Sequence, residues 1–446
     1  MSKKIIGNGL LIPLGNHDII EKGGVYIEEN LIRDFGPTDK LLKRYHDFEY
    51  IDAREKVIMP GLVCAHHHLY STFACGLAFR PAENFVRILE NLWWKLDKAL
   101  TLEDVYYSAL VTLLKCIRNG TTTIIDHHAS PHAISGSLDK LKQAVKKVGL
   151  RACLCYELTD RDGKKGIEKG MEENIRFIEK FGSHQDDQIA ASFGMHASMT
   201  LSDETLKQVK KLTGHRNTGY HIHVAEDKAD VDDCLKKYNK RIVERLSDRG
   251  LLNDRTIAAH CIHINEKEME ILADNKCFVA NNPSSNMNNA VGTADILKMF
   301  KKKVIVGLGT DGMTSNMFEE VKTAYLIQHH TKKDPRVAFI ESINMLLNNN
   351  PKIASKLFNH KMGVIDKEAF ADIIIVDYFP YTPLNQDNFA GHFVFGIGSS
   401  PVDTTIINGK IIMLHKDIIG VDEREISREA YHFAKEVWKR FQAADK

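Results

Sequence analysis

The sequence lacks several features that would place it in a large functional class. It has no excess charge of either sign, with 60 lysine and arginine residues against 59 aspartate and glutamate residues, so its charge does not indicate binding to nucleic acid or to a membrane surface. Its apolar runs have the length of strands, far below the roughly 20 residues of a membrane helix. No apolar core of signal-peptide length follows Met1. We therefore expect a cytoplasmic protein.

Other absences restrict the chemistry. The eight cysteines show no repeated spacing and most lie in apolar segments, which indicates reduced, buried thiols and no disulfide framework. No glycine-rich dinucleotide-binding fingerprint follows any predicted strand. The chain also has no internal repeat and no low-complexity segment.

The central part of the chain alternates apolar strands with amphipathic helices. Eight such strand–helix units over roughly 260 residues predict an α/β fold, a (β/α)8 TIM barrel. An open doubly wound sheet is the competing architecture, and the missing fingerprint counts against it. The predicted strands are 60–66, 121–126, 150–157, 188–195, 219–224, 255–260, 276–281 and 303–308.

The two ends of the chain have shorter strand patterns, and Asn408-Gly409 between apolar runs predicts a hairpin. We expect both ends to build one small β-sandwich domain. The predicted domains are residues 1–58 with 362–420 for the sandwich, 59–361 for the barrel and 421–446 for a C-terminal helix. Further helices are predicted at 101–118, with a capping box at its start, at 229–249, and at 338–360 with a break at Asn348–Pro351.

One stretch, Pro60–Leu69, ends an apolar run with three consecutive histidines. Alternate side chains of a strand share a face, so His66 and His68 should point one way and His67 the other. Two imidazoles at the mouth of a strand suit a divalent metal. The alternative is a local histidine tract that binds metal weakly and has no catalytic role.

Later strand ends carry the groups that such a metal would need. The fifth strand ends with His223 and is followed by Glu226, the sixth ends at His260, and Asp311 follows the eighth. A single histidine at a strand end is more often a hydrogen-bonded core residue. Four such groups at one barrel mouth predict a metal site with room for water.

These motifs resemble a known family. PGLVCAHHH, HIHVAE, AAHC and GLGTDGMTSN are similar to the amidohydrolase superfamily, in its cytosine-deaminase and chlorohydrolase-like branch. The segments NLWWKLD, DHHASP and SSNMNN are similar to the SsnA-type aminohydrolases within that branch. The resemblance extends over nearly the whole chain.

The resemblance implies a site. His66, His68, His223 and Asp311 would bind one divalent metal ion, with zinc expected and ferrous iron as the alternative. Glu226, His260 and Asp311 would be catalytic, with Asp311 as the base. The fourth strand, Phe193–His196, has no lysine, and this favours a single metal over the two-metal arrangement.

The implied activity is hydrolysis of a non-peptide C–N bond, most simply deamination of a small cyclic or heterocyclic substrate. Ring opening or chlorohydrolase-like activity on the same residues is an alternative, as is a non-catalytic barrel scaffold. We expect a small-molecule substrate, no nucleic-acid or membrane partner, and a homo-oligomer, specifically a dimer.

Four residues are candidate substrate contacts: His196, Trp93, His128 and Asn286. His196 matches a position that commonly faces substrate in this branch. A structural role is the alternative for the others, as a core aromatic for Trp93, a hydrogen-bond cluster for His128 and a turn for Asn286. Which of Asp126, His127 and His128 faces the site is left open.

Overall fold

The computed structural model describes residues 2–182 and 186–444. Its strands are β1 (Lys3–Leu11), β2 (Ile20–Glu28), β3 (Leu31–Pro37), β4 (Glu49–Asp52), β5 (Val57–Pro60), β6 (Leu62–His67), β7 (Thr121–Asp126), β8 (Arg151–Leu154), β9 (Ile189–Ala191), β10 (Phe193–Ala197), β11 (Tyr220–Val224), β12 (Ile257–His260), β13 (Phe278–Asn281), β14 (Ile305–Leu308), β15 (Ile373–Val376), β16 (Val402–Ile407), β17 (Lys410–Leu414) and β18 (Asp417–Ile418).

The α-helices are α1 (Thr38–Arg44), α2 (Phe85–Ile88), α3 (Trp94–Lys98), α4 (Leu102–Arg118), α5 (Ser137–Val148), α6 (Gly163–Phe181), α7 (Asp203–Thr213), α8 (Lys228–Tyr238), α9 (Ile242–Asp248), α10 (Glu266–Asp274), α11 (Pro283–Asn288), α12 (Ile296–Lys301), α13 (Met317–Lys332), α14 (Phe339–Asn344), α15 (Asn350–Phe358), α16 (Phe389–Phe395) and α17 (Glu423–Ala443). Within the described ranges, none of these helices has both the length and the apolar character of a membrane span.

The central strands form a parallel (β/α)8 barrel, which confirms the predicted fold class. One ladder runs β6-β7-β8-β9 and the other β10-β11-β12-β13-β14. The first strand meets the last where His67 bridges Asp311, and the backbone N–H groups of Thr310 and Asp311 donate to the carbonyl of His66 at 3.0 and 3.1 Å. The fourth barrel strand is interrupted at Ser192, so that β9 pairs with β8 and β10 with β11.

The interior of the barrel is filled with small and branched apolar side chains from alternate strand positions. Val63, Ala65, Ile125 and Ala280 belong to one buried cluster that α15 also joins through Ile353. This is the packed interior that a barrel of this size requires. It closes one end and leaves the polar residues at the C-terminal strand ends as the open mouth.

Strands from both ends of the chain form one mixed sheet of nine strands. Its order is β18-β17-β16-β15-β5-β1-β2-β3, with β4 added beside β1. The central pairing of β5 with β15 is antiparallel and joins residues more than 300 positions apart. Side chains from both segments, such as Ile6 and Ile375, share a core separate from that of the barrel.

A buried ion pair connects the sheet with the barrel. Arg151, which begins β8, forms an ion pair with Asp372, immediately before β15. Its Nη2 also donates to Asn408 Oδ1 at 2.9 Å, and its guanidinium lies 4.3 Å from the centre of the Phe370 ring. Both charged side chains are almost fully excluded from solvent.

Most local predictions agree with the structure. The capping box of α4 forms between Thr101 and Asp104, and Asn408 and Gly409 have the positive φ values of a tight hairpin. All eight cysteines are free, and seven are buried.

Two helix predictions were wrong. The helix predicted at 229–249 is divided into α8 and α9, because Asn239 ends α8 in a left-handed conformation with φ 51°. The break predicted at Asn348–Pro351 does not occur. A π-helical turn, Met345–Asn349, carries the chain from α14 into α15, and Pro351 lies in the first turn of α15, a helix position that tolerates proline.

Candidate metal and catalytic site

The strand ends bring the predicted metal ligands together. β6 supplies His66 and, one residue beyond its end, His68; β11 supplies His223; and Asp311 follows β14 by three residues. His66, His68 and His223 are buried. His67 points to the other side of its strand, where its Nδ1 is hydrogen-bonded to Thr310 Oγ1 at 2.8 Å. The structure therefore places the neighbouring histidines on opposite faces, as the strand period predicts.

The free nitrogens of three imidazoles converge with one carboxylate. His68 Nε2 lies 3.2 Å from His223 Nε2 and 3.1 Å from Asp311 Oδ1. His66 Nε2 lies 3.8 Å from the same oxygen. The four groups thus surround one point from the ends of three strands, β6, β11 and β14.

The opposite nitrogen of each imidazole is held by the protein. His68 Nδ1 donates to the carbonyl of His127 at 2.5 Å, and His223 Nδ1 donates to the carbonyl of His196 at 2.9 Å. His66 Nδ1 is hydrogen-bonded to His221 Nε2 at 2.8 Å. Such partners fix the ring orientation and the tautomer of a metal-binding histidine.

This donor set fits one divalent cation. His66 Nε2 is buried and has no hydrogen-bond partner, a costly arrangement unless another group occupies that position. Burial lowers the pKa of His66 and His223 well below the ordinary value, which favours the neutral imidazole that binds metals. Three imidazoles and a carboxylate with space for water are a typical catalytic set for zinc and similar ions.

The predicted catalytic residues lie beside the metal ligands. His260 Nε2 is 3.5 Å from Glu226 Oε2 and 3.9 Å from Asp311 Oδ2. Ser285 donates a hydrogen bond to Asp311 Oδ2, and Asn289 Nδ2 lies 3.5 Å from Glu226 Oε1. One imidazole therefore lies between two carboxylates that are anchored on their outer sides.

The backbone at these positions is unusual. Ala225, His260 and Asp311 have φ values of 48°, 69° and 51°, in the left-handed region that non-glycine residues seldom adopt. Such strain concentrates at functional sites, where the surrounding structure holds it. Here the left-handed backbone lies at the ends of β11, β12 and β14, where the chain enters the barrel mouth.

The two carboxyl groups predicted to be catalytic have pKa values shifted in opposite directions. Burial, together with the nearby charge of Asp311, raises the pKa of Glu226 well above its ordinary value. Burial acts in the same direction on Asp311, but the hydrogen bond and charge of His68 outweigh it and keep the pKa of Asp311 well below normal. A pair of carboxyl groups with separated pKa values can serve as proton donor and proton acceptor.

A cleft opens above these groups. Part of its wall is formed by the predicted metal ligands and catalytic residues His68, His223, Glu226 and Asp311. Apolar and aromatic side chains form much of the remainder: Tyr70, Phe85, Leu89, Trp93, Trp94 and Met199. A planar heterocycle would find both aromatic surface and a few directed polar groups there.

The structure separates the four predicted substrate contacts into two pairs. His196 and Trp93 line the cleft. Asn286 does not; its Oδ1 accepts a hydrogen bond from His260 Nδ1 at 2.7 Å, so it orients that ring from behind. His128 is also outside the cleft wall, because its Nε2 is bonded to Ser130 Oγ at 2.9 Å. These two predictions are corrected from substrate contact to support of neighbouring groups.

The polar residues after β7 have distinct positions. Asp126 Oδ1 accepts a hydrogen bond from the backbone of Leu69 at 2.7 Å, which ties two barrel loops together. The His127 ring packs against the ligand imidazoles, with its centre 4.8 Å from that of His223. Of the three candidates, His127 is therefore the one next to the metal site.

Sequence reasoning missed Glu157. It lies three residues after β8, is buried and lines the cleft. Its Oε2 is 3.2 Å from His127 Nδ1 and its Oε1 is 3.7 Å from His196 Nε2. The available signal was its place at the end of the third predicted strand, where polar residues of a barrel face the mouth.

Comparison with known proteins agrees with this geometry. Residues 57–412 match the amidohydrolase family. A 5'-deoxyadenosine deaminase of Methanosarcina mazei is 33% identical over 422 residues, 94% of this chain and 94% of that protein. A 5-methylthioadenosine/S-adenosylhomocysteine deaminase of Desulfitobacterium hafniense is 31% identical over 441 residues, 97% of this chain and 98% of that protein.

Solved structures share the fold. An adenosine deaminase of Xanthomonas campestris with bound zinc superposes with a TM-score of 0.85 at 22% identity, covering 98% of each chain. Guanine deaminase of E. coli has a TM-score of 0.79 at 21% identity, covering 93% of this chain and 100% of that one. With the family match and the relatives above, these findings show that the chain belongs to the amidohydrolase family.

Proposed function

We propose that this amidohydrolase is a zinc-dependent deaminase that replaces the exocyclic amino group of an adenine-type nucleoside with oxygen and releases ammonia. The observation that carries the proposal is the convergence of Glu226, His260 and Asp311 beside three metal-binding imidazoles. The relatives' names, 5'-deoxyadenosine deaminase and 5-methylthioadenosine/S-adenosylhomocysteine deaminase, support the substrate class. The zinc in the adenosine deaminase structure supports the choice of metal.

His66, His68, His223 and Asp311 would hold the metal. A divalent cation in such a site supplies a nucleophile at neutral pH, because it lowers the pKa of a water molecule from about 16 toward 7. The protein's own groups perform the remaining tasks of orientation and proton transfer.

His260 orients the attacking water. Its Nδ1–H donates to Asn286 Oδ1, which leaves Nε2 as an acceptor directed toward Asp311 and Glu226. The ionised Asp311 takes the proton from the water, and Ser285 holds its second oxygen in place. A general base at hydrogen-bond distance contributes roughly 10²–10⁴-fold in rate.

Glu226 supplies the proton that the heterocycle needs. Its raised pKa favours the protonated form of the carboxyl group, which can donate to a ring nitrogen as water adds to the adjacent carbon. The proton taken by Asp311 then passes to the amino group. The C–N bond breaks as the added hydroxyl oxygen forms the carbonyl, its proton returns to Glu226, and ammonia leaves. The aromatic side chains of the cleft, Trp93 among them, exclude bulk water from the heterocycle.

The experiment is an ammonia-release assay with zinc-loaded protein and a panel of 5'-deoxyadenosine, 5-methylthioadenosine, adenosine, guanine and cytosine. We expect release from the adenine nucleosides and none from Asp311→Asn protein. A metal-loaded, folded wild-type protein that releases no ammonia from any of them would contradict the proposal. Such a result would favour the alternative, a non-catalytic barrel scaffold. The complete set of predicted site residues argues against that alternative. The homodimer, the cytoplasmic location and the domain boundaries stay predictions.

A further inference from the structure

The junction between the first and the last barrel strand is held differently from the other strand junctions. The strands β6 and β14 belong to two separate ladders. The backbone bonds that join this region lie beyond the end of β14, where the N–H groups of Thr310 and Asp311 donate to the carbonyl of His66. They act at the barrel mouth, so the deeper part of the junction needs another connection.

The side chain of Asn350 supplies that connection. Its Nδ2 donates to the carbonyl of Val63 on β6 at 2.6 Å and to the carbonyl of Leu308 on β14 at 2.7 Å. Its Oδ1 accepts a hydrogen bond from the backbone N–H of Leu308 at 2.7 Å. The side chain is completely buried. One amide group therefore joins the two strands as a ladder residue would.

The neighbouring strand leaves room for this amide. A Cβ atom added to Gly307 would lie 2.5 Å from Asn350 Oδ1 and 2.6 Å from Cδ1 of Ile353. Such separations are far shorter than favourable van der Waals contact. The absence of a side chain at Gly307 thus lets the start of α15 insert its amide between β6 and β14.

The same device occurs at the interruption of the fourth strand. Asn174, on α6, is also completely buried. Its Oδ1 accepts from the backbone N–H groups of Tyr156 at 3.0 Å and Gly194 at 3.2 Å, and its Nδ2 donates to the carbonyl of Tyr156 at 2.7 Å. Each of the two places where the ladders separate is therefore bridged by a helix asparagine.

The amide of Asn350 lies below the metal ligands on both strands. Val63 precedes His66 by three residues, and Leu308 precedes Asp311 by three. At about 3.3 Å per extended residue, each ligand follows its anchored residue by no more than ~10 Å of chain. A shift of β14 along β6 would therefore move the Asp311 carboxylate relative to the His66 imidazole.

We propose that Asn350 is a positioning residue for the metal site: it fixes β14 against β6 and thereby sets the distance between Asp311 and the imidazoles of His66 and His68. The inference rests on the metal ligands of the proposed function and is independent of the substrate. Functional groups of this kind have to be held within about 0.5 Å of their working geometry by their supporting residues. Hydrogen bonds from Asn350 to both strands provide that support.

The test is Asn350→Leu, which keeps a similar volume and removes every polar atom of the side chain. We expect zinc affinity, measured by competition with a chelator on the full-length protein, to fall about 10–100-fold. The visible absorption spectrum of the cobalt(II)-loaded protein should change as well, because it reports the arrangement of the ligands. If Asn350→Leu does not fold, Asn350→Ser takes its place, since a serine hydroxyl is too short to reach both strands.

Asn349→Leu is the matched control. The Nδ2 of Asn349 donates to the carbonyl of Val306 on β14 at 2.8 Å, so this change removes a buried hydrogen bond to one strand and leaves the connection to β6 intact. Urea denaturation measures the stability that each variant loses. We expect Asn349→Leu to lose stability while its zinc affinity and cobalt spectrum stay at the wild-type level.

Two outcomes would overturn the positioning role. One is a folded Asn350 variant with wild-type zinc affinity and an unchanged cobalt spectrum. The other is an equal loss of zinc affinity in the Asn349 and Asn350 variants, which would mean that general loosening of the barrel releases the metal. Failure of the proposed metal site itself would be recognised separately, because the wild-type protein would then bind neither zinc nor cobalt.

Discussion

His66 Nδ1 and His221 Nε2 are 2.8 Å apart, so a histidine on the fifth barrel strand orients the predicted metal ligand His66 on the first. Removing that partner by His221→Ala should leave the four ligands present but the His66 ring free to turn. We expect metal affinity to fall about 10–100-fold, measured as zinc content after dialysis against a graded chelator.

His67→Ala is the matched control for that measurement, since His67 contacts Thr310 on the opposite strand face. It should retain zinc at the wild-type level. Loss of metal from His67→Ala, or full retention in His221→Ala, would mean that the ligand face of β6 has been assigned incorrectly.

The proton donor is tested by Glu226→Gln. The amide cannot supply the carboxyl proton, so we expect kcat to fall about 10²–10⁴-fold while zinc content stays near one equivalent. Steady-state ammonia release and elemental analysis on the same sample measure both. If zinc is lost together with activity, Glu226 is a ligand and the proposed role is wrong.

The buried pair between barrel and sheet predicts a large change in stability. Asp372→Ala leaves the guanidinium of Arg151 buried without its partner, and we expect the free energy of unfolding to fall by about 3–5 kcal/mol. Urea denaturation followed by circular dichroism gives the value. Glu368→Ala, which breaks the exposed pair with Arg33, should change stability little.

Glu320 on α13 makes stability depend on pH. Burial raises its pKa to about 7, so the folded state holds the proton more tightly than the unfolded state, whose carboxyl titrates near its ordinary value. As the pH rises from the ordinary carboxyl pKa to about 7, this proton is lost and the free energy of unfolding falls. Relative to Glu320→Gln, the wild-type protein should lose up to ~3 kcal/mol between pH 4.5 and 7.5.

Denaturant unfolding at a series of pH values measures this difference. The neighbouring exposed residue provides the control, since Glu319→Gln should parallel the wild type at every pH. A constant difference between wild type and Glu320→Gln across the range would show that the Glu320 carboxyl ionises normally in the folded protein.

The barrel could be predicted from the sequence because each strand and each helix has its own hydrophobic period. Strand period separates His67 from its neighbours, and barrel geometry brings strand ends together. The resemblance to the amidohydrolases then implied which of these groups would bind a metal. The capping box of Thr101 and the hairpin at Asn408 are likewise local signals.

The remaining features depend on side-chain packing between loops. Glu157 lies next to His127 and His196 only after three strands are in register, and no spacing rule indicates that contact. Asn286 was a candidate substrate contact with a turn role as the alternative, but it lies on the short helix α11 and is hydrogen-bonded to His260. The π-helical turn before Pro351 has no distinct signal in local propensity, and such turns are rare.

The pairing of β5 with β15 has a consequence for synthesis on the ribosome. β1 covers one edge of β5 as soon as the first 60 residues have emerged, but the other edge waits for a strand that is translated after the entire barrel. Throughout that interval the nascent chain presents an apolar strand with open hydrogen-bonding groups, the usual starting point for misassociation between chains. We therefore expect the protein to depend on chaperones more when it folds during translation than when the full-length unfolded chain refolds.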